Sequence, residues 1–204
     1  MNIILLRGFS HSGKDFIGET LCTKYGYKRF AFADSLKKMV AQEFGCPIEQ
    51  LHSQSGKLQV CQSDSAARTF RQILIDEAFR LRNINPGVFV EHCCKEILES
   101  GSKLVVITDW RYPNEIDIIT KTFANAIVTP VRILRIGQDK SPVDDISEYQ
   151  LQDRCTDYQI INNMDDTIYN EIALLIEFIQ LLNKQKKEMK FNVKTVYTGF
   201  YNLS

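Results

Sequence analysis

The chain has 204 residues, 44% of them apolar, enough to bury one substantial core in what the length favours as one domain. Lys and Arg number 25 and Asp and Glu 25, a formal net charge of zero, which excludes the one-signed field that draws proteins to a nucleic-acid polymer or an anionic membrane. No run approaches the roughly 20 apolar residues that span a bilayer, and the six cysteines (Cys22, Cys46, Cys61, Cys93, Cys94, Cys155) include no C-x-x-C pair, so the expectation is a soluble, cytoplasmic protein with reduced thiols.

The opening apolar residues have no basic stretch before them and meet Arg7 at once, so they are read as a strand over Ile3–Leu6 rather than a signal peptide. Gly8-Phe9-Ser10-His11-Ser12-Gly13-Lys14 follows, a complete G-x-x-x-x-G-K between that strand and a helix predicted over Lys14–Lys24. Glycines let such a loop curl with its N–H groups inward, the helix N-terminus adds positive potential, and the lysine brings a point charge to the β- and γ-phosphates of a nucleotide. The expected ATP phosphate-binding set is Gly8, Ser10, Ser12, Gly13 and Lys14, with Asp15 and Phe16 opening the helix; His11 is given no catalytic role. Asp15 stands where such loops carry Ser or Thr to meet Mg²⁺, so it either holds the metal, directly or through water, or caps the helix dipole.

A strand is predicted over Tyr27–Phe32 and a helix over Asp34–Phe44, with Asp34 either its N-cap or part of a ligand site with Lys37. Gly45–Ser65 is polar and mixed, either a mobile loop or a small subdomain. Helices over Ala66–Arg82 and Val88–Leu98, split by Asn85-Pro86-Gly87, form an excursion between two strands. On an ideal helix Arg68, Arg71, Gln72 and Arg82 share an arc of about 100° opposite Phe70, Ile73, Leu74 and Leu81. Glu77 falls in the apolar arc and needs a partner, either an arginine of the site or a structural one.

The strand Leu104–Thr108 ends at Asp109, where ligands gather in an open α/β sheet; Asp109 is either a metal-shell carboxylate or the residue that turns the chain. Arg111 precedes Tyr112-Pro113-Asn114 and a helix over Asn114–Phe123. The strand Val131–Ile136 carries Arg132 and Arg135, candidate catalytic arginines with Arg135 preferred, and leads into a lid over about 137–150. A strand over Tyr158–Ile161 and a helix over Asp166–Lys184 complete a doubly wound, largely parallel five-stranded α/β domain over 1–183. The basic extension 184–204 alternates over Phe191–Tyr197 like an edge strand or hairpin arm, packing on the domain or on a second subunit as a homodimer. His52 and His92 lack ligand spacing to a cysteine, so zinc is not expected.

Ser12-Gly13-Lys14-Asp15, Phe32-Ala33-Asp34-Ser35-Leu36-Lys37 and Thr108-Asp109-Trp110-Arg111-Tyr112-Pro113-Asn114-Glu115 resemble motifs of the phage and large-virus deoxynucleoside monophosphate kinases, in the nucleoside monophosphate kinase branch of P-loop folds. Arg68, Gln72, Glu77 and Arg80, then Ser147-Glu148, Asp157-Tyr158 and Asn162-Asn163, extend the resemblance in the family's order over roughly residues 1 to 180. It implies transfer of the γ-phosphate of ATP, with Mg²⁺, to a deoxynucleoside monophosphate, in the host cytoplasm if the chain is viral. It also implies an acceptor site of Asp34, Lys37, Arg68, Gln72, Glu77, Arg80 and Arg111 within an excursion of about 34–100, and metal-shell roles for Asp15 and Asp109. The chain departs from the family at Ile75-Asp76 (commonly Gly-Thr), at Phe89 (commonly Trp) and at Asp145-Ile146 (commonly His). Animal phosphomevalonate kinases resemble the same framework, so the alternatives are another small phosphorylated acceptor or a catalytically weak nucleotide-binding module.

Overall fold

The computed structural model describes residues 1–142, 146–151 and 156–200, with side chains as far as residue 189. Five strands, β1 (Asn2–Arg7), β2 (Lys28–Phe30), β3 (Leu104–Ile107), β4 (Ile127–Arg135) and β5 (Tyr158–Asn162), form one parallel sheet in the order β2-β3-β1-β4-β5. The α/β class read from the sequence is the class observed. The helices are α1 (Lys14–Tyr25), α2 (Ala33–Phe44), α3 (Ile48–His52), α4 (Gln54–Lys57), α5 (Phe70–Ile84), α6 (Val88–Ser100), α7 (Pro113–Thr122) and α8 (Thr167–Phe200).

Strand alternation builds two cores from β1. Ile3 and Leu5 face Phe32, Leu36, Phe89, Ile97 and Trp110 beneath α2, α6 and α7, whereas Ile4 and Leu6 face Ile17, Leu21, Ile172 and Leu175 of α1 and α8. All four β1 side chains are 0% exposed, and at about 1.5–3 kcal/mol each for full burial they anchor the centre of the sheet. The carboxyl end of β1 is thereby fixed between those of β3 and β4.

Four local readings need correction. β4 starts at Ile127, not Val131, although Pro130 argues against a strand interior. The Pro130 carbonyl accepts from Asp157 N at 3.1 Å, so the missing N–H also points to the β5 side, and pairing of Leu5 with Pro130 on β1 survives. Helix α5 starts at Phe70 rather than Ala66, because Ala67 is left-handed at φ 52 and Asp64 Oδ2 takes the Arg68 N–H at 2.9 Å. Thr69 then caps α5 reciprocally with Gln72. Arg68 therefore precedes the helix and leaves the cationic arc. Residues Phe191–Tyr197 are helical, a continuation of α8, not a strand; no Gly or Pro interrupts the chain from Thr167 to Thr198.

The stretch 45–65 is folded. Leu51 is buried in the first core, and a Cβ on Gly56 would lie 2.2 Å from Gln50 O, so α3 and α4 meet through backbone. Cys22, Cys46, Cys61, Cys93 and Cys94 are free thiols; Cys155 lies outside the described residues. Among the described residues no helix is long and apolar enough to cross a membrane.

Thr69→Ala removes the cap of α5. The expected loss is about 1 kcal/mol of stability, read as a lower urea midpoint at unchanged m-value.

Candidate active site

The loop from Gly8 to Lys14 is held from outside by its carbonyls. Gln138 Nε2 donates to Ser10 O (2.7 Å), Arg135 Nη1 to His11 O (2.9 Å), Asn162 Nδ2 to Ser12 O (2.9 Å) and Ser12 N to Phe9 O (3.0 Å). Side chains on and after β4 and on β5 thus fix three loop carbonyls, while two loop amides are engaged within the protein, Ser12 N by Phe9 O and Ser10 N by Glu148 Oε2 at 2.6 Å. Gly8 and Gly13 have φ 154 and 103, and their Cβ positions fall 2.6 Å from Ile133 O and 2.5 Å from Asn162 Nδ2, so glycine is required twice over. The buried Ser12 Oγ makes no hydrogen bond, an orphan group that a phosphate oxygen fits.

Lys14 Nζ donates to Gly8 O and Phe9 O, each at 2.7 Å. Burial lowers its pKa; the Glu148 carboxylate opposes this and Arg111 adds to it. Phosphates brought to the loop act on this lysine as Glu148 does. Asp15 and Phe16 are exposed in the first turn of α1. Asp15 makes no hydrogen bond or ion pair among the described residues, whereas Phe16 packs edge-on against Tyr169 at 5.7 Å.

Glu148 ties three segments together. Its side chain is 2% exposed; Oε2 accepts from Ser10 N at 2.6 Å and Ser141 Oγ at 3.0 Å, and Oε1 pairs with Arg111 Nη1 at 2.8 Å. Arg111 Nη1 also donates to Ser147 Oγ at 2.6 Å. The Ile146–Glu148 turn is thus docked on the phosphate loop, with Tyr149 against Phe9 at 5.4 Å between ring centroids. The described part of the expected lid lies over the loop; residues 143–145 of it lie outside the described residues.

Beside this contact is a solvent-open cleft lined by Arg7, Lys14, Arg111, Arg132 and Glu148. Arg132 pairs in register with Arg7, across β4 and β1. Arg7 is buried, donates to Leu151 O and stacks near Trp110 at 5.8 Å. Arg7, Gln138, Glu148 and Asn162 join the site without a role expected from sequence. The family-ordered Ser147-Glu148 and Asn162-Asn163 were the available signals for two of them; Arg7 and Gln138 had none.

Asp109 is partly buried, and its two oxygens accept from Phe32 N (2.8 Å) and Ala33 N (2.9 Å) at the start of α2. That makes it the cap of α2, with both oxygens engaged. Burial pushes its carboxyl above the ordinary carboxylate range, against those two N–H donors. Glu115, one helix on, takes the Arg111 and Tyr112 N–H groups on Oε2 (2.9 and 3.1 Å) and so fixes the backbone that presents Arg111. Burial pushes its pKa up to about 7.

The expected acceptor residues divide. Lys37 (13% exposed) and Asp34 pair at 3.0 Å, and Asp34 also holds Arg29 at 3.2 Å. Arg68 is bound to Asp64 (2.9 Å) and Asp76 (2.8 Å), Gln72 is the capping partner of Thr69, and Glu77 pairs with Arg80 at 2.8 Å. Glu77 thus has a partner on its own helix, three residues on. Arg111 lies on the loop side, apart from this α5 network.

Glu148→Ala removes the carboxylate that Arg111 and the Ser10 N–H share. With Arg111 about a third exposed, a loss of about 1–3 kcal/mol is expected in chemical denaturation. Glu115 binds its proton more tightly folded than unfolded, so its contribution is fully present below its ordinary value of 4.5 and lost as pH rises through about 7. Stability measured across that window is expected to fall with pH in the wild type and to lose that component in Glu115→Gln.

No protein-family model matches the chain. Among solved structures it is similar to a gluconokinase from Sinorhizobium meliloti (13% identity, 90% of this chain and 97% of that one, TM-score 0.46). It is also similar to shikimate kinase from Aquifex aeolicus (17%, 88% and 98%, 0.45) and APS kinase CysC from Mycobacterium tuberculosis (13%, 88% and 96%, 0.42). A likeness this distant concerns the fold, and the chemistry has to be read from the side chains.

Proposed function

We propose that this protein is a P-loop phosphotransferase that moves the γ-phosphoryl group of ATP to a nucleoside monophosphate, with a deoxynucleoside monophosphate as the acceptor that the sequence resemblance favours. The observation that carries the reading is the phosphate loop, clamped through its carbonyls, with Lys14, Arg111 and Arg132 converging at its mouth. Such a cluster suits a reaction between two polyanions, in which catalysis is positioning plus neutralisation of charge.

The loop amides and Lys14 hold the β- and γ-phosphates. An oxygen of the acceptor's phosphate attacks the γ-phosphorus in line, the bond to the β,γ-bridging oxygen breaks, and ADP leaves with that electron pair. The attacking oxygen is already ionised near neutral pH, so neither a general base nor a covalent enzyme intermediate is needed. Arg111 and Arg132 are placed to take up charge on the transferring group, and Arg135 supports the loop through His11 O. Asp15, with its carboxylate open to solvent, is the residue of this set fitted to hold Mg²⁺, directly or through water, and the ion supplies further neutralisation of the phosphates. Asp109, engaged by α2, serves that shell at most through its remaining lone pairs.

The test is ATP-dependent diphosphate formation across the deoxy- and ribonucleoside monophosphates, with phosphomevalonate as a control acceptor. Turnover of one or more nucleotides that falls at least about 10³-fold in Lys14→Ala is expected. ATP binding without any nucleotide turnover would refute the reading.

A further inference from the structure

Two cations near the phosphate loop have no acid of their own. Lys57 closes α4 and Arg71 lies in the first turn of α5; each is partly buried, and neither forms an ion pair with a carboxylate among the described residues. Their neighbours behave differently: Arg68 is paired with Asp64 and Asp76, Arg80 with Glu77, and Lys38 with Glu96. Arg71 Nη2 donates to the neutral Gln54 Oε1 at 2.7 Å, while its Nε is buried without a hydrogen-bond partner.

Lys57 is within electrostatic reach of Lys37, Arg71, Arg111 and Asp15. Burial is the main cause that lowers its pKa, and the first three of these neighbours lower it further. Lys37 brings a third charge to the group from α2, with Asp34 at 3.0 Å and His52 Nδ1 at 3.3 Å. The platform is stiff, because Ser53 Oγ takes the Gly56 N–H at 2.9 Å and Gly56 is packed onto the Gln50 backbone. Like charges partly removed from water, one with an orphan buried N–H, are costly together unless an anion completes them.

We propose that Lys57 and Arg71, together with Lys37, form a binding site for a phosphate dianion, the terminal phosphate of a monophosphorylated small molecule, on the side of the phosphate loop where Asp15 and Arg111 lie. That the bound phosphate is the acceptor in transfer rests on the kinase reading above; that the site binds phosphate does not. Arg71 offers a guanidinium edge and the lysines offer point charges, a combination that recognises the tetrahedral dianion and leaves the attached group to be chosen elsewhere.

The experiment uses the full chain saturated with Mg²⁺ and a non-hydrolysable ATP analogue, which fills the phosphate loop, and titrates inorganic phosphate and a panel of nucleoside monophosphates by calorimetry. Lys57→Ala and Arg71→Ala are each expected to weaken phosphate and monophosphate binding by about tenfold or more. Analogue affinity and thermal midpoint should stay near the wild-type values, Arg71→Lys should recover part of the loss, and Lys95→Ala, a charge removed from the exposed face of α6, should change nothing. Unchanged affinity in both alanine variants, or a wild type that binds neither phosphate nor any monophosphate, overturns the site. Phosphate binding that depends on Lys57 and Arg71 without turnover of any nucleotide keeps the site and removes the nucleotide acceptor. Turnover with an acceptor KM indifferent to both residues removes the site and keeps the kinase.

Discussion

The shape of the loop at residues 8–14 depends on its carbonyl groups being held from outside. Gln138, Arg135 and Asn162 each hold one carbonyl of the loop from the β4 and β5 side of the sheet. An unsupported glycine-rich loop would sample many backbone states and would have to be ordered by its ligand, at an entropic cost. Here the order is supplied in advance by residues more than a hundred positions away in the chain, and the burial of β1 between β3 and β4 places them at hydrogen-bonding distance. Every other feature of the site is arranged around that fixed loop.

Glu148 is the second constraint. It is a buried carboxylate that touches the loop backbone, Arg111 and Ser141 at once, and so couples the segment after β4 to the residue that leaves β3. Its negative charge also offsets the positive charges of Lys14 and Arg111, which act against each other. Glu115 supports the same arginine through the backbone, and Asp109 seats α2 beside it. Three carboxylates near the loop therefore act on its framework, whereas Asp15 makes no hydrogen bond or ion pair among the described residues.

The excursion between β2 and β3 contrasts with this. Its arginines on and before α5 are mostly neutralised by neighbouring acids, while Lys57, Arg71 and Lys37 bring positive charge toward the loop with too few acids to match. In a chain whose total charge is zero, such a local surplus is the informative quantity, because the net balance conceals it.

The sequence by itself determined the class of fold, the strand count, the helical excursion and the phosphate loop. Apolar periodicity and the G-x-x-x-x-G-K spacing are local properties, and β1, the loop and α1 occupy consecutive residues. It did not determine where α5 begins, since an Asx turn at Asp64 and a left-handed Ala67 compete with helical periodicity, nor that β4 runs through Pro130, which depends on the partner present on each side. Nor did it determine the extension after α8, where alternation over Phe191–Tyr197 suits a strand while the absence of Gly and Pro lets the helix continue. The partners of charged side chains were decided only by the tertiary structure. Whether Arg68 faces Asp64, whether Arg111 faces Glu148, and whether Lys57 and Arg71 form an ion pair with any described carboxylate depends on which segments the sheet brings together. Separation along the chain carries no information about that, because an ion pair forms across a few ångströms of space whatever the length of chain between its members.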